Sequence, residues 1–572
     1  MITFLQTPLP LAEWIEMFTN WLTTTLAGLF ASIQTAGSTV MNGMVETLLI
    51  IPPLIFIIVM SIIIYFISNK KIGLTAFTFI GLLFVLNQNL WINLINTLTL
   101  VIIATIISVI LGIPLGIWMS KSKRAKGVIT PILDFMQTMP SFVYLIPAVA
   151  FFGIGMVPGV FASVIFALPP TVRFTNLGIR QIPEELIEAS NSFGSTGWQK
   201  MIKLELPLAK NTIFAGINQT TMLALSMVVT ASMIGAPGLG EGVLQALQRA
   251  EVGNGFVNGT ALVVLAIVID RFTQNINKTD RTTSPKQAKN RQRAILAGTL
   301  AVILFLVGGT IHYTFDQNND KTVTLASVHW DSEIASANVI KIVLEDLGYD
   351  VEIYELDPAV VYSSIANGTA DVTVAPWLPI TQGALYEQYG DHMVNLGPNL
   401  DGATISITVP AYMDVDSIAD LKNEANKTIT GIEPGAGVTA KAEELMNDYE
   451  NLSDWTLSTS STGAMLVELD KAIANKEDFV ITGWKPHWMY QKYDLKDLED
   501  PKMTMGEGDS LYSFTREGFE EDMPEVYRVI DNFNWTVEDM ESVMLELQDI
   551  DPAVAAQNWI DKNPEKVASW IE

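Results

Sequence analysis

Residues 188–207 read EASNSFGSTGWQKMIKLELP, and the spacing predicts two short helices around a glycine. Pro183 suits a first helical position, and Glu184, Glu185 and Glu188 lie near the positive end of the helix macrodipole. Gly194 permits a sharp turn, Thr196 is the candidate N-cap of the second helix, and Pro207 is expected to stop that helix at Leu206. This polar hairpin is embedded in a region apolar enough for a membrane. On helix signals alone it is a solvated loop, but one large enough to meet a partner.

Working outward, the chain has 572 residues of which 49% are hydrophobic, with mean hydropathy +0.31. That is high for a soluble protein, so an integral membrane part is expected. Charge is unevenly spread. Residues 321–572 hold 15 basic and 47 acidic side chains, net −32, whereas the remainder is net +5. Two physically different regions have been joined. The acidic one is expected to be soluble and excludes nucleic-acid binding by phosphate neutralisation, which needs a basic surface. The absence of cysteine excludes disulfides, thiolate metal sites and cysteine nucleophiles, and no metal site is predicted. No positively charged segment precedes the first apolar residues, so a cleaved signal peptide is not expected.

Residues 11–35 place Trp14, Phe18, Leu22, Leu26 and Phe30 at roughly helical spacing, the pattern of a helix lying in the membrane interface. Crossing the hydrocarbon layer takes about 20 apolar residues. Candidate spans run over 46–68, 72–90, 93–119, 129–153, 156–173, 212–236, 257–275 and 294–314. The weakest are 129–153, interrupted by Asp134, Pro140 and Pro147, and 156–173, which is short. Basic clusters at Lys70 and Lys71, at Lys121 to Lys126, at Lys200 to Lys210 and at Lys278 to Arg293 fall on alternate loops. Eight crossings put all of them in the cytoplasm and everything after Phe315 outside. Asp134 either faces a protein interior or cavity, or lies near the interface. Asn218, Gln219, Thr220 and Thr221 either line a path or bond between helices, the commoner role. Met222, Met227 and Met233 are expected to pack. The glycine-rich GAPGLGEG at 235–242 follows no strand and precedes no Gly-Lys-Ser/Thr, so it is not a phosphate loop. The chain carries no Walker motif, and any ATP hydrolysis belongs to another subunit. The segment 275–293 has six basic residues and one acid, which positive-inside bias explains; contact with anionic lipid is the other reading.

From Lys321 onward, β-branched runs alternate with helical patterns, which predicts α/β units around mostly parallel sheets. Two lobes are expected, one over 321–405 plus 510–572 and the other over 406–509, with ATISITVP at 403–410 as a crossover strand. Ligands collect beyond the carboxyl ends of such strands. Trp330, Trp377 and Trp484 each follow a predicted strand in a separate unit, two in one lobe and one in the other. Aromatic faces attract a quaternary ammonium, worth about 0.5–2 kcal/mol per favourable contact, so a ligand methylated at nitrogen is predicted. For a zwitterion, GIEPGAGVTAKAEEL offers free amides of Gly437 and Val438 at a helix N-terminus, unless the segment is only a tight turn. His487 in GWKPHW adds a donor. Trp455, Trp488, Trp535, Trp559 and Trp570 are assigned to packing.

Three stretches resemble known families. Glu188-Ala189-Ser190, Gly194 at the seventh place, Leu204 at the seventeenth and Leu206-Pro207 at the end resemble the EAA loop of ABC importer permeases, where alanine is commoner than Ser190. QTMPSFVYLIP at 137–147 resembles permeases of glycine betaine and proline betaine uptake. The three tryptophans, the EPGAG turn and GWKPHW are similar to substrate-binding domains for glycine betaine. Together they resemble the OpuA-type osmoregulatory importers of Gram-positive bacteria.

That resemblance implies an α-helical type I ABC importer permease followed by a two-lobed α/β binding domain of the periplasmic-binding-protein kind. It implies an N-terminal interfacial segment (1–45), a permease domain (46–275), a basic linker with a scaffold helix (276–320) and an extracellular binding domain (321–572). Glu188, Ala189, Gly194, Leu206 and Pro207 would couple to a cytoplasmic ATPase. The implied assembly is two copies of this chain with two ATPase subunits, which bind ATP and Mg and carry ionic-strength sensor domains; this chain needs no cofactor. The competing reading is a membrane receptor for quaternary ammonium ligands, and within transport choline, carnitine and proline betaine stay open as cargo.

Overall fold

Residues 10–68, 70–248, 251–277 and 321–572 are described by the structure, a computed structural model. The chain divides into two compact units, one helical and one α/β. In the helical unit, the segment expected as one interfacial helix over 11–35 is two helices, Leu11–Thr25 and Ala27–Leu49. The second passes through the expected boundary at 45/46 and buries Met41, Met44, Val45 and Thr47, because no proline interrupts the apolar run before Pro52. There the chain turns by 93° into Pro53–Ile67, so 46–68 is not one continuous span. Ile72–Asn87 follows. The weak span at 129–153 is likewise broken: Lys123–Thr138 and Ser141–Phe152 meet at 109° around Pro140. The span read as short at 156–173 instead continues to Arg180, a helix of 25 residues that holds Pro169 and Pro170 inside it.

Among the described residues, four helices are long and apolar enough to cross a membrane, and six spans result if each bent pair counts as one. The expected span 294–314 and the basic segment 278–293 lie outside the described residues. Close helix approach rests on small residues. A methyl on Gly112 would stand 2.7 Å from Thr171 Cγ2, and one on Gly116 2.6 Å from the Val172 carbonyl oxygen. These glycines therefore let Trp91–Lys121 lie directly against Met156–Arg180. The hydroxyls of Thr171 and Thr220 share a 2.8 Å bond, and Thr220 also donates to the Ala167 carbonyl at 2.8 Å. Asn218 donates to Asp270 Oδ1 at 3.0 Å. The polar residues of the 218–221 cluster thus bond between helices, Gln219 excepted, which is exposed. Met227 is buried as expected. Asp134 is 57% exposed within this chain and pairs with Arg173 at 2.5 Å, so it is not a solitary carboxylate.

In the α/β unit the strands are β1 (Thr322–Val328), β2 (Asp350–Leu356), β3 (Val372–Thr373), β4 (Trp377–Leu378), β5 (Met393–Pro410), β6 (Thr428–Gly431), β7 (Thr456–Thr459), β8 (Val480–Lys485), β9 (Leu495–Asp497) and β10 (Asp509–Arg516). Their order is β2-β1-β3-β10-β5-β8-β6-β7, with β4 on β10 and β9 on β5. The 18 residues of β5 serve two lobes. Met393 to Ala403 pair antiparallel with β10, and Thr404 to Thr408 pair antiparallel with β8. Each lobe keeps a parallel trio, β2-β1-β3 in one and β7-β6-β8 in the other. The sheets are mixed rather than mostly parallel because β5 and β10, which connect the lobes, return against these trios. Helices such as Asp331–Asp346 and Gly437–Asp448 bury their apolar faces on the sheets.

Candidate functional sites

The α/β unit contains a cavity between its lobes, lined by Trp330, Ser332, Trp377, Thr381, Ile405, Ile432, Ala436, Gly437, Val438 and Trp484 and holding about 310 Å³ including its mouth. Local structure sets each tryptophan. Trp330 is the N-cap of Asp331–Asp346, just beyond β1. Trp377 sits in β4 opposite Leu511, and Gln382 locks its backbone: Trp377 N–H donates to Gln382 Oε1 at 3.1 Å, and Gln382 N–H returns to the Trp377 carbonyl at 3.0 Å. Trp484 lies inside β8 opposite Ile405, not beyond its end. Three π faces from two lobes thus meet in one space.

The opposite wall suits an anion. The helix starts at Gly437, and Ala436 gives its N-cap no side-chain bond. The helix therefore opens at Gly437 and Val438, both on the cavity wall, beside the positive end of the macrodipole. A methyl on Gly437 would stand 1.8 Å from the Thr381 carbonyl oxygen. Gly437 is thus required for close approach of the lobes, besides its position at the helix start. Thr381 is fixed in turn by Asp509, which accepts from Ile380 N–H at 2.6 Å and from the Thr381 hydroxyl at 2.5 Å.

His487 is 1% exposed and stands edge-on to Trp484, ring centres 4.7 Å apart. Burial pushes its pKa down to about 4, partly opposed by Asp331, so the ring is neutral near pH 7. Its Nδ1 accepts from Met489 N–H at 3.2 Å, which puts the remaining proton on Nε2. That buried donor has no hydrogen-bond partner. Ser332 Oγ, also on the cavity wall, is buried and unpartnered as well. Glu333, next along the helix, is driven up to about 8 by burial, against a backbone hydrogen bond at Val328, and is held as a neutral acid. The cavity can therefore enclose a cation in aromatic faces while offering N–H and O–H donors to a carboxylate. Ser332, Thr381, Ile405 and Ile432 were not singled out by the sequence, and only lobe packing brings them to the wall; Ala436 lies in the EPGAG turn but was not named as a wall residue. Of the tryptophans assigned to packing, Trp488 departs from that role: its indole N–H donates to Asp331 Oδ2 at 2.6 Å.

In the helical unit, the hairpin consists of Glu184–Ser192 and Gly197–Lys200 around Gly194, whose φ is +72°. Pro183 is the N-cap rather than the first helical residue. Thr196 and Gln199 form a reciprocal capping box, with bonds of 3.3 and 3.0 Å. Lys200 joins the two helices through a 3.0 Å bond to Asn191 Oδ1. Pro207 does not end the second helix. A π-helical turn over Met201–Glu205 widens the backbone so that the chain continues into Leu206–Ser226, with Pro207 in that helix's first turn where its missing N–H costs nothing. Glu188, Ala189 and Gly194 are exposed, and so are Phe193 (89%) and Trp198 (74%), large apolar side chains on an otherwise polar tip. Leu206 instead packs with Ile179, Ala209 and Ile213. Glu205, 1% exposed, accepts from Lys121 Nζ at 2.6 Å and ties the hairpin's base to the end of Trp91–Lys121.

Comparison with known proteins gives the following. A family model described as the substrate binding domain of ABC-type glycine betaine transport systems matches residues 321–562. Another, described as the binding-protein-dependent transport system inner membrane component, matches 108–322. The glycine betaine/carnitine transport permease protein GbuB of Listeria monocytogenes is 53% identical over 272 residues, 47% of this chain and 96% of that protein. The glycine betaine transport system permease protein OpuAB of Bacillus subtilis is 49% identical over 268 residues, 47% of this chain and 94% of that protein. The glycine betaine/carnitine transport binding protein GbuC of Listeria monocytogenes is 48% identical over 159 residues, 27% of this chain and 53% of that protein.

Proposed function

Because the chain belongs to the family of glycine betaine ABC transport permeases, here continued by a substrate-binding domain, and is a multi-pass membrane transporter subunit rather than an enzyme, we propose that it captures glycine betaine outside the cell and passes it inward for osmoprotection, driven by ATP hydrolysis on a separate subunit. The observation that carries this reading is the cavity in which Trp330, Trp377 and Trp484 meet Gly437 and Val438 at the start of a helix, with neutral His487 edge-on to Trp484. A quaternary ammonium cannot donate strong hydrogen bonds, so π faces suit it better than carboxylates. Its carboxylate meets the amides, the imidazole N–H and the Ser332 hydroxyl.

The division of labour follows. The helical part forms the permease and residues 321–572 an extracellular receptor, its lobes changing over within β5 and before β10. The exposed tip around Glu188, Ala189, Phe193, Gly194 and Trp198 docks on a cytoplasmic ATPase. Leu206, Pro207 and the Lys121–Glu205 pair carry the resulting movement into the spans. Two copies of this chain work with two ATPase subunits, which bind the ATP and Mg, and are surrounded by membrane lipids.

The test is uptake of labelled glycine betaine into vesicles with and without a co-expressed ATPase, together with binding of betaine, carnitine and choline. Tight betaine binding, weaker choline binding and ATP-dependent uptake are expected. Equal affinity for choline, which lacks a carboxylate, would remove the anion half of the site. Binding without any uptake in the presence of the ATPase would favour a receptor.

A further inference from the structure

The end of β8 and the loop that follows it send three side chains in different directions. Trp484 forms a wall of the cavity, His487 stands behind it, and Trp488 reaches the other lobe. There its buried indole N–H donates to Asp331 Oδ2 at 2.6 Å, and Gln548 Nε2 lies 3.3 Å from the same oxygen. Asp331 opens the helix Asp331–Asp346, directly after cavity residue Trp330, and its carboxylate is largely buried, 3.9 Å from His487 Nε2. On each lobe, then, a cavity tryptophan is followed within four residues by one member of a bond that crosses the cleft. The rings of His487 and Trp488 are also in contact, tilted at 31° with centres 5.3 Å apart, so fixing Trp488 restrains the imidazole. Lys492 Nζ lies over the outer face of the Trp488 ring at 5.4 Å.

We propose that Asp331 and Trp488 form a closure latch: the bond exists only when the lobes are shut, holds His487 in place, and sets how fast the ligand leaves. Neither residue lines the cavity, so both are positioning residues and not ligand contacts. The bond joins a carboxylate to an N–H in a largely buried site, a setting that strengthens a hydrogen bond to a charged group. Opening the cleft gives both groups to water. The latch therefore biases the closed state without adding any contact to the ligand, as a population shift. It rests on the reading of this cavity as the glycine betaine site.

The test uses the full chain with its ATPase partner in lipid nanodiscs, with glycine betaine as ligand and fluorescent labels on the two lobes. Trp488→Phe keeps the ring beside His487 but deletes the N–H; Asp331→Asn keeps an acceptor but deletes the charge; Asp331→Ala deletes both. Trp488→Phe and Asp331→Ala are each expected to speed ligand release about tenfold, with the association rate unchanged and the closed fraction lower. Asp331→Asn should fall between wild type and Asp331→Ala, and the double variant Trp488→Phe/Asp331→Ala should be no faster than either single one. Wild-type release rates in Trp488→Phe, or additive effects in the double variant, would overturn the latch. A slower association with unchanged release would also overturn it. If the wild-type chain itself bound no betaine, the site reading would fail first, a result separate from failure of the latch.

Discussion

Gly437→Ala tests the closed cleft most directly. The new methyl would lie 1.8 Å from the Thr381 carbonyl oxygen and 2.5 Å from its carbon. Non-bonded heavy atoms settle at about 3.5 Å, so the lobes must part there by about 1.7 Å. Thr381 cannot step aside cheaply, because Asp509 holds Ile380 N–H, Thr381 N–H and the Thr381 hydroxyl, the first at 2.6 Å. The helix that begins at Gly437 tolerates alanine, so the penalty falls on closure and not on the folding of either lobe. Overpacking of this kind costs about 1–3 kcal/mol, which lowers affinity about 5- to 150-fold. Calorimetric titration of glycine betaine into the full chain measures the loss, and a melting curve without ligand should stay at the wild-type position. Binding within about threefold of wild type would refute the claim that closure presses Gly437 onto Thr381.

Trp377→Ala and Trp484→Ala each remove a π face worth about 0.5–2 kcal/mol as well as buried area, and titration should show at least a tenfold loss for betaine and for choline alike. His487→Ala, by contrast, should weaken betaine more than choline. Stability of the α/β unit should depend on pH in two opposed ways. His487, about 4 when folded against 6.5 unfolded, stabilises fully above pH 6.5 and loses that contribution as pH falls toward 4. Glu333, about 8 when folded against 4.5 unfolded, stabilises below pH 4.5 and loses its contribution as pH rises toward 8. Each pKa unit is worth about 1.4 kcal/mol, so denaturant melts should show Glu333→Gln gaining on wild type by a few kcal/mol between pH 4.5 and 8; a constant difference would contradict this. Glu188→Lys combined with Gly194→Asp should abolish ATP-driven uptake while betaine binding persists, and intact uptake would end the coupling role of the hairpin. Lys121→Met strands Glu205 as a buried carboxylate at a cost of about 3–5 kcal/mol, read as a lower yield of assembled complex, and adding Glu205→Met should restore that yield.

Much of this molecule is legible without coordinates because the deciding interactions are short-range. The charge divide at Lys321, the Gly194 turn, the Thr196 cap and the strand-then-tryptophan pattern act within a few residues, and each residue type serves one local need. The sequence by itself therefore determined a membrane helical part, a two-lobed α/β part and the three aromatic side chains of its cavity. Tertiary structure alone decided the rest. Pro207 looked like a stop, but a π turn anchored through Glu205 to Lys121, 84 residues away, carries the helix past it. Pro140 signalled a break and 46–68 read as one span, yet the chain bends at both places, by 109° and by 93°. Gly437 presses on Thr381, and Trp488 finds Asp331 across 157 residues. Such contacts follow from sheet register and lobe closure, where burial and desolvation over the whole domain outweigh local preference, and no window of sequence contains them.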